Sequence, residues 1–130
     1  MKKVFLGGTC NQSLWRDSLI PKLSIDYFNP VVKEWNEVAK QRELDERANC
    51  DYCLYVITSK LAGVFSIAEV ADDSNKRPKK TVFCFSDFDG PFDKKLEKSL
   101  KAVGVMVEKN GGTWCKSLEE VEVYLNENAC

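Results

Sequence analysis

Residues 52–58, YCLYVIT, form an unbroken run of aromatic, β-branched and other apolar or small residues without a single charge. A strand with one wet face alternates apolar and polar side chains, so a run with no such alternation predicts a strand covered on both faces. Such cover comes from helices, and helix patterns stand on either side: the charged stretch VVKEWNEVAKQRELDERANC before it and FSIAEVADDS after it. The alternation continues outward. KVFLGG precedes SLWRDSLIPKL, where Leu14, Leu19, Ile20 and Leu23 recur near helical spacing, Ser13 is an available N-cap and Pro21 marks a kink or an early end. SIDYFNP reads as a second strand stopped by Pro30. After the central pair come the loop NKRPKK, the strand TVFCF, the acidic loop SDFDGPFD, the helix KKLEKSLKAVGVMVEKN, a short strand in GTWCK and the helix SLEEVEVYLNENA. Because crossovers between parallel strands are right-handed, this order predicts a parallel sheet with helices on both faces. With 130 residues there is material for one core, and a single domain over 1–130 is expected.

Several function classes drop out on composition. Nineteen basic and twenty acidic residues leave no cationic excess for nucleic acid. The opening MKKVFLGGTC turns polar too soon for a signal peptide, and no segment reaches the length of a membrane span, so a cytoplasmic protein without membrane or nucleic-acid partners is expected. The six cysteines sit mostly in or beside apolar runs, which favours structural thiols over disulfides. The single CDYC pair has no second pair and no histidine to complete a metal site, so neither metal nor cofactor is expected. Without histidine, acid–base chemistry falls to carboxylates, lysine, tyrosine, cysteine or water.

In an open parallel sheet, ligands bind beyond the carboxyl ends of the strands, where strand order reverses. The segments placed there are GGTCNQS, FNP, TSKLAGVFSIAE and SDFDG. Gly7, Gly8, Thr9, Asn11 and Ser13 suit a loop around a sugar or phosphate, and equally a turn that needs glycine conformations. Glu69 is the only charge in GVFSIAEVA. It is either an exposed residue complementing the helix dipole or a desolvated carboxylate of tuned reactivity facing the cleft. The charged helix before Asp51 reads as a solvated face, Asp51 as structural, and Trp15, Trp35 and Trp114 as packing anchors.

The segments VFLGGTCNQSLWRDSLIP, YFNPVV, CDYCLYVIT and GVFSIAEVADDSNKRPKKTVFC resemble the nucleoside 2-deoxyribosyltransferase-like family, in the short branch met in phages and bacteria. The resemblance implies a flavodoxin-like three-layer sandwich with five parallel strands in the order 2-1-3-4-5. It also implies cleavage or transfer of the N-glycosidic bond of 2′-deoxynucleosides or their monophosphates, by a chain that assembles as a homo-oligomer. The family's nucleophile is the Glu of a Thr/Ser-x-x-Glu pattern, here Ser66–Glu69; an acid that contacts the base lies eight positions before the Asp opening the third strand, which counts back from Asp51 to Glu43. On this basis Glu69 is the nucleophile and Glu43 the base-side acid or orienting group, which should turn inward while Glu37 and Glu46 point elsewhere. Gly7, Gly8, Thr9 and Asn11 form the sugar-side loop, with Asn29 and Ser66 as further substrate contacts. A retaining transfer needs two such groups, one to attack the anomeric carbon and one to protonate the leaving base. Six positions before the nucleophile, where transferases carry another acid, stands Gly63; related nucleotide hydrolases hold phosphate with serines where this chain has Gly8 and Gly63. Two other readings stay open: a nucleotide-binding module without turnover, and an NAD-cleaving glycohydrolase of TIR-like fold.

Overall fold

The computed structural model describes residues 1–130. Its strands are β1 (Lys3–Gly8), β2 (Asp26–Phe28), β3 (Tyr52–Ile57), β4 (Thr81–Phe85) and β5 (Thr113–Trp114). The helices are α1 (Trp15–Leu19), α2 (Glu37–Asn49), α3 (Phe65–Lys76), α4 (Lys94–Lys109) and α5 (Leu118–Glu127). All strands pair in parallel, in the order β2-β1-β3-β4-β5. This is a flavodoxin-like fold.

Strand periodicity divides the interior into two cores. Val4, Leu6, Leu54, Val56, Val82 and Cys84 point to one face, where Trp15 and Leu19 of α1 and Val121 and Leu125 of α5 cover them. Phe5, Cys53, Tyr55, Ile57 and Phe83 point to the other, under Val70 of α3 and Leu100 and Val107 of α4. Every residue of β3 is buried, as its unbroken apolar run requires.

Two local expectations give way and one holds. Ser13 does not cap α1: Leu14 takes the N-cap position with no side-chain hydrogen bond, and the Ser13 hydroxyl donates instead to Asp89 in the loop after β4. Pro21 ends α1 early, opening a 3-10 turn over Ile20–Lys22. Trp35 is not a packing anchor. It is 59% exposed, in the segment before α2, where no layer lies over it. Trp15, by contrast, is fully buried and donates its indole N–H to the Thr9 carbonyl at 2.9 Å, tying α1 to the loop after β1.

The sheet reverses direction of growth between β1 and β3. The chain leaves β1 for α1 on one face and leaves β3 for α3 on the other. A crevice opens at the carboxyl ends of these two strands.

Candidate active site

The floor of the crevice is the end of β1. Gly8 has φ of +118°, and a Cβ there would fall 2.0 Å from the Val56 carbonyl oxygen, so only glycine lets β1 turn away while lying this close to β3. At Gly7 a Cβ would meet the Tyr55 ring at 2.8 Å. The glycines that line the cleft are thus also required by strand packing. The carbonyls freed at this bend are gathered by Arg16, a buried side chain that donates to the carbonyls of Leu6 (2.9 Å), Thr9 (2.7 Å) and Gly8 (3.3 Å). Burial pulls its pKa below the ordinary arginine value.

One wall is α3. Ile67 and Val70 turn toward the core and leave Glu69 beside them at the cleft, its side chain only 11% exposed. The facing wall comes from α2, whose start is fixed by Asn36 accepting from the Ala39 N–H at 2.8 Å. One face of α2 brings the half-buried Glu43 into the same cleft. Glu37 is exposed, and Glu46 is drawn away to Lys3 at 2.8 Å. Pro30, Val31, Val32, Trp35 and Phe65 supply an apolar rim. The space enclosed is about 330 Å³, at the lower end of the range for small-molecule pockets.

The two carboxylates occupy a dry setting. Burial pushes Glu69 up from 4.5 to about 7; Arg47 draws it down, and the charges of Glu43 and Asp73 push it further up. Burial also raises Glu43, with Arg47 and Arg16 opposing. Each carboxyl therefore holds a proton more readily than a carboxylate in water, and a pair with one member ionised and the other protonated suits an attack on carbon accompanied by protonation of a leaving group.

The remaining candidates are placed unevenly. Ser66 lines the cleft together with an adjoining hollow of about 290 Å³, which also takes in Gly8, Thr9, Asn11 and Gly63. The Thr9 hydroxyl is occupied, accepting from the Thr58 N–H at 3.0 Å, and Asn11 donates to the Lys60 carbonyl at 3.3 Å. Asn29 stands outside both spaces, its side chain accepting from the Val31 N–H at 3.0 Å.

The model of nucleoside 2-deoxyribosyltransferase-like proteins matches residues 1–88, which contain β1 to β4 and every residue of the crevice. The chain belongs to the nucleoside 2-deoxyribosyltransferase-like family. No curated protein and no solved structure gives a match. Membership in the family supports a role in glycosyl transfer on nucleosides, and no helix of the chain is long and apolar enough to cross a membrane.

Sequence reasoning missed Arg47, a residue this nucleoside 2-deoxyribosyltransferase-like chain places against Glu69, with Nε 3.7 Å from the carboxylate. It was hidden in a run of charges. A signal was nonetheless available. Asp73 lies four residues beyond Glu69 on the same helix stripe, and a carboxylate on a buried stripe demands a cation. Arg16 was passed over as well, although SLWRDSLI sets it directly after Leu14 and Trp15.

Proposed function

We propose that the protein cleaves or transfers the N-glycosidic bond of 2′-deoxynucleosides or their 5′-monophosphates through a covalent deoxyribosyl ester on Glu69. The observation that carries this reading is the pairing of Glu69 and Glu43, from two helices, in one apolar-rimmed cleft beyond the carboxyl ends of the sheet. A carboxylate oxygen of Glu69 attacks C1′. The bond from C1′ to the base nitrogen breaks, its electron pair leaves with the base, and the proton of Glu43 goes to the base. A second base, or water, then attacks C1′ and frees the Glu69 carboxylate, and the attacking group's proton returns to Glu43. Trp35 and Phe65, both largely exposed at the rim, offer flat surfaces for a purine or pyrimidine.

Two further features of the reading concern the whole protein. Val31, Val32, Trp35, Val38 and Leu44 are all exposed around α2, which buries none of its own residues, and this apolar strip fits a second copy of the chain in a homo-oligomer. Six free thiols, four of them buried, suit a reducing cytoplasm.

The test is base release from a panel of deoxynucleosides, deoxynucleoside monophosphates and NAD, by wild type and Glu69→Gln. Expected are turnover of a deoxy substrate, loss of at least about a thousandfold in Glu69→Gln, and a deoxyribosyl adduct on Glu69 in the intact mass. Undiminished turnover in Glu69→Gln removes the mechanism. Binding of deoxynucleotides without turnover would instead make the protein a binding module, for which the open position at Gly63 speaks; cleavage of NAD alone would make it a glycohydrolase of another class.

A further inference from the structure

Arg47 reaches from α2 under the cleft and is held there from several sides. Its Nη2 and Nε donate to the two oxygens of Asp73 at 3.0 and 3.2 Å, and Asp73 is completely buried. Nε also lies 3.0 Å from the Tyr55 hydroxyl, and that hydroxyl donates to Asp73 in turn. Nη2 further reaches Asp72 at 3.1 Å and the main-chain carbonyl of Glu69 at 3.4 Å. Burial works against the charge of Arg47, but the hydrogen bonds and charge of Asp73, with Tyr55, outweigh it and raise its pKa. The side-chain oxygen of Glu69 is the exception among these neighbours: at 3.7 Å it feels the charge but lies beyond hydrogen-bond range.

We propose that Arg47 is the positioning residue of this site: clamped by Asp73 and Tyr55, it holds a fixed positive charge beside Glu69 that favours the carboxylate anion and leaves both its oxygens unbonded for attack. The inference rests on the reading of Glu69 as nucleophile. A charge-assisted hydrogen bond to Glu69 would tie up the lone pair that must reach C1′; a cation just out of bonding range stabilises the anion without that cost. The surrounding charges agree. Arg47, Arg77 and Lys76 pair with Asp72 and Asp73, so three cations face two aspartates and the network has one positive charge left for an ionised Glu69. When Glu69 becomes an ester, Arg47 keeps its aspartates and is not stranded. The groups facing Glu69 are Glu43 and Arg47 from α2, Asp72 and Asp73 on α3, Tyr55 from β3, and Arg16 and Cys10 across the cleft.

Two measurements test this. The first is the pH dependence of kcat/KM for base release in wild type, Arg47→Lys and Arg47→Met, with Arg47→Met/Asp73→Asn made so that buried Asp73 is not left with Arg77 as its one cation if the single variant does not fold. Loss of the cation should move the acidic limb upward by about one pH unit in Arg47→Met, less but in the same direction in the double variant, and Arg47→Lys should recover part of it. A fall in activity with the limb unmoved overturns the proposal, since a residue needed only for folding would lower the active fraction without changing the profile. The second needs neither variants nor turnover. In unmodified protein the carboxyl ¹³C signal of Glu69 and the Nε–H signal of Arg47 should titrate with one shared midpoint, and an Arg47 signal indifferent to Glu69 overturns the proposal. Wild type inactive on every substrate would sink the reaction reading alone, and the titration would still decide the role of Arg47.

Discussion

Glu69 is costly to the fold. Its pKa of about 7, against 4.5 when unburied, corresponds to about 3 kcal/mol working against the ionised form. The sign of the effect follows from linkage. Below 4.5 the residue is protonated whether the chain is folded or not, and pH has no leverage on it. Between 4.5 and about 7 the unfolded chain gives up the proton that the folded protein retains, so stability falls as pH rises, and above about 7 the whole penalty is present. Glu69→Gln removes it. In urea titrations the variant should be more stable than wild type by about 1–3 kcal/mol at pH 8, with the gap closing toward pH 4.5. A variant less stable than wild type at pH 8 would mean that the carboxylate supports the fold. On the proposed mechanism activity should run the other way in wild type, since the form of Glu69 that would attack is the one that the fold disfavours.

The elements differ in how they are attached. β3 is buried along its length and α3 packs Val70 into the core, whereas no residue of α2 is fully buried. What binds α2 is polar: Glu46 to Lys3 at 2.8 Å, Arg42 over the Phe28 ring at 5.1 Å, the Cys53 thiol donating to the Arg47 carbonyl at 3.1 Å, and the Arg47 clamp. Partly exposed pairs such as Lys3–Glu46 are screened by salt more than the clamp on fully buried Asp73. Amide hydrogen exchange should therefore be faster in α2 than in β3, and 0.5 M salt should speed exchange in α2 but not in α3; equal protection of α2 and β3 would refute this account of its attachment. The same contrast explains what was legible in the sequence. β1, β3 and β4 announce themselves because apolar runs bounded by turn residues have few other solutions, and Glu69 stands out as a lone charge among apolar neighbours. α2 carries charges on every side, so nothing in its periodicity tells Glu43 and Arg47, which turn inward, from Glu37, which does not; Glu43 was found by family resemblance, and Arg47 is visible only once its buried partner is placed. Trp35 was misjudged because an indole favours burial only where some layer can cover it.

For the whole molecule, the two cores share one sheet: Val4 and Leu6 serve one face while Phe5 between them serves the other. Neither core can dissolve without exposing the back of the other's strands. We expect residues 1–130 to unfold in a single transition by heat, with circular dichroism and tryptophan fluorescence giving the same midpoint; separate midpoints would indicate two folding units. The crevice lies where the chain crosses from one face to the other, so its floor and Arg16 belong with α1 on one side of the sheet, while Glu69 belongs with α3 on the other. A ligand seated there touches both helical layers at once and acts as a rivet through the sandwich. By mass action a nucleoside that Glu69→Gln binds without consuming should delay melting in proportion to the logarithm of its concentration, so a simple thermal-shift screen can reveal the substrate before any product is detected.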